Sequence, residues 1–307
     1  MSKSQWKWEN ATAGALAGFA TVAVTHPLDV VRTRFQVNDG RVPNLPTYKN
    51  TANALLTIAR LERLRGFYAG FFPAVLGSSV SWGLYFFFYS RAKERYSRNR
   101  DERLTAGLHL ASAAEAGGLV CLCTNPIWLI KTRLQLQTHL HQNRHYAGLY
   151  DALRTILKEE GWTALYKGIV PSLLLVSHGA IQFTAYEELR KVIIDFKQSK
   201  RSPESSSNLL NSVDYALLGG SSKIAAILFT YPFQVIRARL QQRPNNEGIP
   251  RYMDSWHVVK ETARFEGFRG FYKGITANLL KNVPASSITF IVYENFLNLL
   301  RLVKTND

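Results

Sequence analysis

The stretch that decides the fold is Pro27-Leu-Asp-Val-Val-Arg-Thr-Arg-Phe-Gln36, because the chain contains it three times. The other two copies are Pro126-Ile-Trp-Leu-Ile-Lys-Thr-Arg-Leu-Gln135 and Pro232-Phe-Gln-Val-Ile-Arg-Ala-Arg-Leu-Gln241. Their first prolines are 99 residues (27 to 126) and 106 residues (126 to 232) apart. A repeat of fixed period indicates one structural unit used several times.

A second motif recurs with nearly the same period. It reads Glu62…Gly66-Phe-Tyr-Ala-Gly70, then Glu160-Gly161…Tyr166-Lys-Gly168, then Glu266-Gly267…Tyr272-Lys-Gly274. Two independent motifs in one register predict three repeats, which we place at residues 1–100, 101–200 and 208–307. The Ser-rich, charged stretch 197–211 between the last two repeats is predicted to be a solvated loop.

Each repeat carries two apolar stretches, and all six are long enough to cross a membrane. They cover residues 11–31, 70–90, 104–130, 168–187, 213–236 and 274–293, and crossing ~30 Å of hydrocarbon takes ~20 helical residues. Buried helices of a soluble protein are the competing interpretation. Polar residues within several stretches favour helices that line a water-filled cavity. Between the paired stretches, residues 48–65, 146–160 and 252–266 each begin with tyrosine and have the polarity pattern of surface helices.

The positive net charge of the chain limits the classes of molecule that it is expected to bind. The net charge is +16 and the pI about 9.9, which suggests nucleic acid, anionic lipid or an anionic solute. The basic residues recur at matching places between apolar stretches, so we expect anionic lipid and solute and no nucleic acid. The two cysteines, Cys121 and Cys123, exclude a disulfide framework, and we expect no metal site. Residues 1–10 do not resemble a cleaved targeting peptide.

The triplicated motif resembles that of the mitochondrial carrier family, and the resemblance covers essentially the whole chain. It implies an all-α membrane protein with six transmembrane helices in three pseudo-symmetric repeats around a central cavity, with short surface helices. It also implies transport by alternating access between two salt-bridge gates. Proline kinks at Pro27, Pro126 and Pro232 would bring three helix ends together, which agrees with the physics of proline in helices.

The first gate, on the matrix or stroma side, departs from the family pattern. The family's cyclic pairing leaves Asp29–Lys131 as one full ion pair, because Trp128 and Gln234 stand where acids are expected. We expect a cation–π contact between Arg237 and Trp128 and a hydrogen bond between Arg32 and Gln234. Three glutamines match the family's braces beneath the pairs: Gln36, Gln135 and Gln241.

The opposite gate resembles an aromatic–acid–x–x–base motif. It occurs as Tyr89-Ser90-x-x-Lys93, Tyr186-Glu187-x-x-Arg190 and Tyr293-Glu294-x-x-Leu297. Cyclic pairing leaves Glu294–Lys93 intact, makes Ser90–Arg190 a weaker contact and leaves Glu187 without a basic partner at Leu297. Each gate therefore keeps a single full ion pair, and we predict that both gates are held closed only weakly.

The family's substrate contacts lie seven residues after the closing glycine of each even-numbered span. Here these positions are Gly77, Leu175 and Lys281. Lys281 would bind an anionic group, with snorkelling to the membrane surface as the alternative, while Gly77 and Leu175 leave room for a flat ring. Further candidates are Trp128, Trp82, Ser78, His178, Gln182, Asn282 and Glu115, the last because it shares a helix face with Pro126. Lys223 has no evident role.

Within the family, Pro126-Ile-Trp128 resembles the branch that carries folate, FAD, NAD and pyrimidine nucleotides, and the overall run is similar to plant folate transporters of the chloroplast envelope. The resemblance implies folate transport, with FAD or another nucleotide-type cofactor as the alternative. It favours the chloroplast inner envelope over the mitochondrial inner membrane. We expect no enzyme activity, since no convincing catalytic cluster is present, no bound cofactor, and a monomer.

Overall fold

The structure is a computed structural model that describes residues 5–40, 48–97, 106–138, 146–199, 212–244 and 251–282, with a few helical residues between 285 and 296. The described residues form helices and connecting turns. The predicted spans contain α1 (Gln5–Val37), α3 (Phe71–Ser97), α4 (Ala106–Leu136), the short α6 (Ile169–Leu174) followed by α7 (His178–Ser199), α8 (Ser212–Leu240), and α10, of which 275–282 are described. The surface helices are α2 (Thr51–Phe67), α5 (Leu149–Glu159) and α9 (Ser255–Glu266).

Four helical segments in this part of the chain are long and apolar enough to cross a membrane. They are Gly14–Val37, Phe71–Ser97, Gly107–Leu136 and Trp162–Lys197. Helix α8 takes the fifth place with 29 residues, but its span carries Lys223, Arg237 and Arg239. Helix α10 takes the sixth place and lies partly outside the described residues. The order of long and short helices is the one the sequence predicts.

The fourth span is not one continuous helix. A 3-10 turn at Leu175–Ser177 separates α6 from α7. The tighter winding of a 3-10 turn rotates the side chains that follow it, and such turns often mark hinges. The turn begins at Leu175, the predicted substrate contact of the second repeat, so this contact lies at the bend.

The three prolines lie inside α1, α4 and α8, and beyond them the helices meet. Nε of Arg34 donates to the carbonyl of Gln135 at 3.0 Å, and Nε of Arg239 donates to the carbonyl of Gln36 at 3.0 Å. The third link runs from Arg133 to the carbonyl of Gln241 at 3.3 Å. The three helix ends thus form a closed ring.

The surface helices pack behind this ring and complete the core at this end. Ile156 of α5 is fully buried in a cluster with Leu129 and Ile130 of α4, and the other two repeats have equivalent clusters. The helices begin about three residues after the tyrosines that start each predicted segment. Asn50 and Asp254 accept hydrogen bonds as N-caps of α2 and α9, and Tyr252 is buried instead of helical.

A glycine before each even-numbered span lets two backbones approach closely. A Cβ at Gly70 would lie 2.9 Å from the carbonyl oxygen of Lys131, and one at Gly274 would lie 3.0 Å from that of Arg32. Gly168 occupies the same place against Arg237, at 3.4 Å. All three have φ between +71° and +83°, which glycine adopts without strain. Each even-numbered span therefore starts directly beside a basic residue of the first gate.

Candidate functional site

The polar centre of the molecule is Asp29, whose side chain is only 6% exposed. Its Oδ2 pairs with Nζ of Lys131 and accepts from Nε2 of Gln135 at 3.0 Å. Its Oδ1 pairs with Nζ of Lys281 at 2.5 Å and lies 3.5 Å from the guanidinium of Arg32. The ion pair that the sequence predicts between Asp29 and Lys131 is present, and two further cations share the same carboxylate.

The contact between Lys281 and Asp29 joins the predicted substrate position to the first gate. Gly274 holds the start of α10 against Arg32, and Lys281 follows two helical turns, ~10 Å, later. Its side chain is 27% exposed and points back to Asp29. Sequence reasoning treated Lys281 and Asp29 as parts of two sites, whereas the structure places them in one.

The other two positions of this gate are held less firmly. Nη2 of Arg32 donates to Oε1 of Gln234 at 2.6 Å, as the sequence predicts. The Arg237 side chain makes no hydrogen bond or ion pair with any residue that the structure describes. The predicted cation–π contact between Arg237 and Trp128 is absent there too; Nζ of Lys131 lies 5.6 Å from the centre of the Trp128 ring instead. The indole lies against Gly77 of α3, which explains why it does not reach Arg237.

Two of the bracing glutamines, Gln135 and Gln241, differ in the same way: the first contacts an acid of the gate and the second does not. Thr33 Oγ1 lies 2.7 Å from Oε1 of Gln135, whose Nε2 then meets Asp29. Thr132 Oγ1 lies 2.9 Å from Oε1 of Gln241, but Nε2 of Gln241 has no partner within the described part of the chain. The difference follows from residue 128, which is tryptophan where the first repeat has Asp29.

The predicted substrate positions have different surroundings. Gly77 is buried, and a Cβ there would lie 3.2 Å from Ile127 and 3.5 Å from the Trp128 ring, so any side chain would displace them. Trp82 is 62% exposed and stacks on Phe86 of its own helix. The half-buried candidates are Ser78, Leu175, His178, Gln182 and Asn282.

Glu115, a candidate from its position on the helix, binds two residues of the neighbouring span in this structure. Its carboxylate accepts from Arg95 at 2.7 Å and from Tyr96 at 3.1 Å, both on α3. The kink at Pro126 and the close packing of α3 against α4 set this direction, and neither can be read from an ideal helix. Glu115 therefore links two spans in this structure.

The described members of the opposite gate are apart. Lys93 and Ser90 are exposed, and Arg190 lies 3.9 Å from Glu187 on its own helix. Tyr89 hydrogen-bonds His109 of α4 at 3.0 Å, and Tyr186 is half-buried. Tyr293, Glu294 and Leu297 lie outside the described residues. The helices are thus held together by the first gate at the proline end, while the described members of the opposite gate form no ion pair with one another between helices.

Sequence reasoning missed a second ring of charges behind the first gate. The arginine at the eighth position of each first motif binds the glutamate of the second motif with both Nη atoms: Arg34–Glu62 at 2.5 and 2.7 Å, Arg239–Glu266 at 2.5 and 3.0 Å, and Arg133–Glu160. The guanidinium side chains are 0–3% exposed. The nearly equal periods of the two motifs could have predicted that each arginine pairs with the glutamate of its own repeat.

Two of these carboxylates, Glu160 and Glu266, lie outside the spans and have pKa values that their basic partners lower. Burial raises the pKa of Glu160, but hydrogen bonds and attraction from Arg133 and Lys167 outweigh it and lower the net pKa below 4.5. The pKa of Glu266 is lowered for the same reasons, with Arg239 and Lys273 as partners. Both are therefore ionised links at neutral pH.

Comparison with known proteins agrees with this geometry. The family model described as mitochondrial carrier protein matches residues 3–100, 102–197 and 208–304. The chain is 77% identical over 299 residues to folate transporter 1, chloroplastic, of Arabidopsis thaliana, covering 97% of each chain. It is 38% identical to nicotinamide adenine dinucleotide transporter 1, chloroplastic, of the same plant, over 93% of this chain and 89% of the relative. The mitochondrial nicotinamide adenine dinucleotide transporter 1 of Saccharomyces cerevisiae is 37% identical, over 96% of this chain and 78% of the relative.

Proposed function

Because the chain belongs to the mitochondrial carrier protein family, we propose that it transports folate and folate derivatives across an organelle inner membrane by alternating access. The observation that carries the proposal is the 77% identity with a chloroplast folate transporter along nearly the whole chain. The same relative favours the chloroplast inner envelope. We expect a transporter without catalytic activity that works as a monomer and as one integrated domain of three repeats.

The charges near the centre of the bundle support an anionic substrate. Lys281 and Arg237 lie within the spans, and cations there need an anionic partner or water. Folate offers a flat pteridine ring and a glutamate tail with two carboxylates. Lys281 suits a carboxylate, and the half-buried Trp128 indole, which packs against Gly77, offers an aromatic face on which the ring can stack.

The pair between Lys281 and Asp29 suggests how binding and gating are coupled. A substrate carboxylate that binds Lys281 competes with Asp29 for the same ammonium group. Asp29 then keeps Lys131 and Arg32 but loses one of its three cations. The first gate is therefore weakened only when substrate is bound. The substrate thus stabilises the open state of this gate relative to the closed state, as a ligand must in order to shift a conformational equilibrium.

The surface helices and the turns after them support anionic lipid as a second partner. Trp256 of α9 and two aromatic residues of these turns, Trp162 and Phe268, are 68–77% exposed, and Lys167 and Lys273 follow in the sequence. Aromatic residues and cations in this arrangement are typical of the membrane interface.

Uptake by purified protein in lipid vesicles tests the substrate. We expect folate to enter faster than FAD or NAD, and unlabelled folate to compete best. FAD or a nucleotide is the second candidate, since two relatives carry nicotinamide adenine dinucleotide in their names. Preferential uptake of FAD or NAD, with no uptake of folate, would replace the proposed substrate by that candidate.

Lys281→Ala tests the site within the same assay. We expect folate uptake and affinity to fall at least tenfold, because a charged hydrogen bond is worth ~1.5–3 kcal/mol. Lys260→Ala, which removes an exposed lysine of α9, is the control and should transport normally. Unchanged affinity in Lys281→Ala would show that this lysine serves only the gate.

A further inference from the structure

The acidic and basic motif positions of the first gate form an ion pair at one of the three interfaces between repeats. Asp29 and Lys131 join the first repeat to the second. Arg32 and Gln234 join the third repeat to the first by a hydrogen bond at 2.6 Å. Between the second and third repeats, the Arg237 side chain makes no hydrogen bond or ion pair with a described residue. Two interfaces therefore lack an ion pair at these motif positions.

The loop that follows α1 supplies an ion pair between the first and third repeats, outside the membrane spans. Oδ1 of Asp39 binds Nη2 of Arg251 at 2.8 Å, and Oδ2 accepts from the Tyr252 hydroxyl at 3.0 Å. The Asp39 side chain is 1% exposed, so its carboxylate is buried against the third repeat. Separating Asp39 from Arg251 is costly, because each charge then loses the partner that compensates it.

The turn after α1 fixes the direction of Asp39. The amide of Asn38 donates to the carbonyl of Arg34 at 3.0 Å, and Oδ1 of Asn38 accepts from the amide of Gly40 at 3.1 Å. Gly40 has φ of +74°, which glycine adopts without strain. Nζ of Lys273 donates to the carbonyl of Asn38 at 2.9 Å, so a further residue of the third repeat holds the same turn.

The loop that follows α8 makes the corresponding contacts between the third and second repeats. The guanidinium of Arg243 lies 4.5 Å from the centre of the Tyr146 ring, and its Nη2 lies 3.1 Å from Oε2 of Glu159. Tyr146 lies shortly before α5 of the second repeat, and Glu159 ends that helix. Glu159 is 52% exposed, so this link is weaker than the buried pair at Asp39.

The charges of these loops occur in the repeats whose gate contacts are weak. Asp39 and Arg243 lie 12 and 11 residues after the prolines of their own motifs. At the interface of the first and second repeats, which has the Asp29–Lys131 pair, the described loop residues at this end form no ion pair between repeats. The equivalent residues of the other repeats carry no charge: Thr138 and Pro244 for Asp39, and Asn38 and Gln137 for Arg243.

We propose that these loops form an outer layer of the first gate, which stabilises its closed state at the two interfaces without a motif ion pair. The proposal rests on transport by alternating access, in which the three repeats separate at this end. Each contact of the layer joins two repeats, so it breaks when they separate. The layer consists of two groups, which we call the outer contacts: Asp39 with Arg251 and Tyr252, and Arg243 with Tyr146 and Glu159.

The outer contacts give the gate a part that the substrate does not release. A substrate carboxylate that binds Lys281 weakens the pair between Lys281 and Asp29, which joins the third repeat to the first. Asp39 and Arg251 join the same two repeats in loops outside the spans, away from the predicted substrate positions. We therefore expect the outer contacts to set how strongly the empty carrier favours the closed first gate.

Pulsed electron paramagnetic resonance of the purified full chain measures the separation of the repeats without any ligand. Spin labels are attached at exposed positions of α2 and α9, through Arg60→Cys and Lys260→Cys, after Cys121 and Cys123 are replaced by serine. In this background we expect Asp39→Asn to raise the ratio of separated to closed repeats on the order of tenfold, because it removes the ionic partner of a cation at the interface.

Three further variants identify the contact that is responsible. Arg251→Gln combined with Asp39→Asn should shift the ratio no further than Asp39→Asn alone, because the two residues act as one pair. Arg243→Gln should give a smaller shift, since its acidic partner is exposed. Glu188→Gln is the control: it breaks an exposed pair with Lys191 inside α7, which joins no two repeats, and should leave the distances unchanged.

Melting temperatures of the same variants separate a gate role from a structural one. A lower melting temperature in Asp39→Asn with unchanged distances would make Asp39 a structural residue of its loop and overturn the proposal. An equal shift in Glu188→Gln would also overturn it. Folate added to the wild type tests the proposed substrate separately: no change in the distances would count against folate, whereas the shift in Asp39→Asn without ligand would still support the outer contacts.

Discussion

Arg63 carries backbone strain that the other two repeats avoid. It is the one described residue other than glycine with positive φ, at 55° with ψ −155°. Gly161 and Gly267 occupy the same place after the motif glutamate, with φ of 80° and 63°. This region of conformational space is essentially restricted to glycine, and other residues there cost of order 1–3 kcal/mol.

Arg63→Gly should therefore stabilise the protein. We expect the free energy of unfolding to rise by about 1 kcal/mol, measured as a higher melting temperature in detergent. The gain is smaller than the strain because glycine also gains freedom in the unfolded chain. Gly161→Arg is the mirror control and should lower the melting temperature. No change in Arg63→Gly would mean that side-chain contacts of Arg63 offset its strain.

At the scale of single residues, the sequence predicted contacts that follow from the repeat register. Asp29–Lys131 and Arg32–Gln234 are present because cyclic symmetry fixes which helix faces which. The contact of Lys281 with Asp29 and the turn of Glu115 toward Arg95 depend on helix tilt and on side-chain rotamers, which no repeat pattern encodes. The roles assigned to the substrate residues remain predictions.

The surface helices are tied to the spans by buried ion pairs, and acid should release them. The pKa values of Glu160 and Glu266 are lower in the folded protein than the ordinary 4.5. Each group therefore contributes stability that is complete above its unfolded pKa and is lost as the pH falls through its folded pKa. We expect the melting temperature to drop steeply below about pH 4.5.

Glu160→Gln tests this at one link. It leaves the buried Arg133 without its ionic partner, which should cost ~3–5 kcal/mol at neutral pH, and it should make the acid dependence shallower. Glu188→Gln removes an exposed pair with Lys191, which solvent screens, so its melting temperature should stay close to that of the wild type. If the melting temperature of Glu160→Gln falls with pH as steeply as that of the wild type, the Arg133–Glu160 pair does not cause the acid sensitivity.

At the scale of elements, length and polarity predicted most of the helices. The three surface helices lie where the amphipathic segments placed them, and the long helices follow the apolar stretches. The break at Leu175–Ser177 was not predicted, because its sequence contains neither glycine nor proline. At this turn Val176 packs against Gly117 of α4, where a Cβ would lie 2.7 Å from Val176, and the local sequence does not show such a contact between helices.

For the whole molecule, the uneven first gate has a kinetic consequence. One position holds a full ion pair, one a hydrogen bond, and Arg237 holds neither with any described residue. Two missing pairs lower the barrier to reopening the empty carrier by ~1–3 kcal/mol, or roughly 10- to 100-fold in rate. We therefore expect net folate uptake without a counter-substrate.

The measurement compares vesicles loaded with buffer alone against vesicles preloaded with folate. Trp128→Asp gives Arg237 and Gln241 the missing acid, so it should slow net uptake more than exchange. Gln234→Glu adds the same charge where Arg32 already has a partner, so its effect should be smaller. Strict dependence of the wild type on internal folate would contradict the argument from weak latching.

The ring that joins the three helix ends also bears on how the chain reaches its native state. Its last link, from Arg239 to the carbonyl of Gln36, joins residues 203 positions apart. During synthesis the carbonyl of Gln36 in the first repeat therefore lacks this partner until the third repeat has been made. Contacts so distant in sequence form slowly, and the incomplete chain exposes apolar surface in the meantime. We therefore expect the first two repeats without the third to be less stable than the full chain, because the ring then stays open at Gln36.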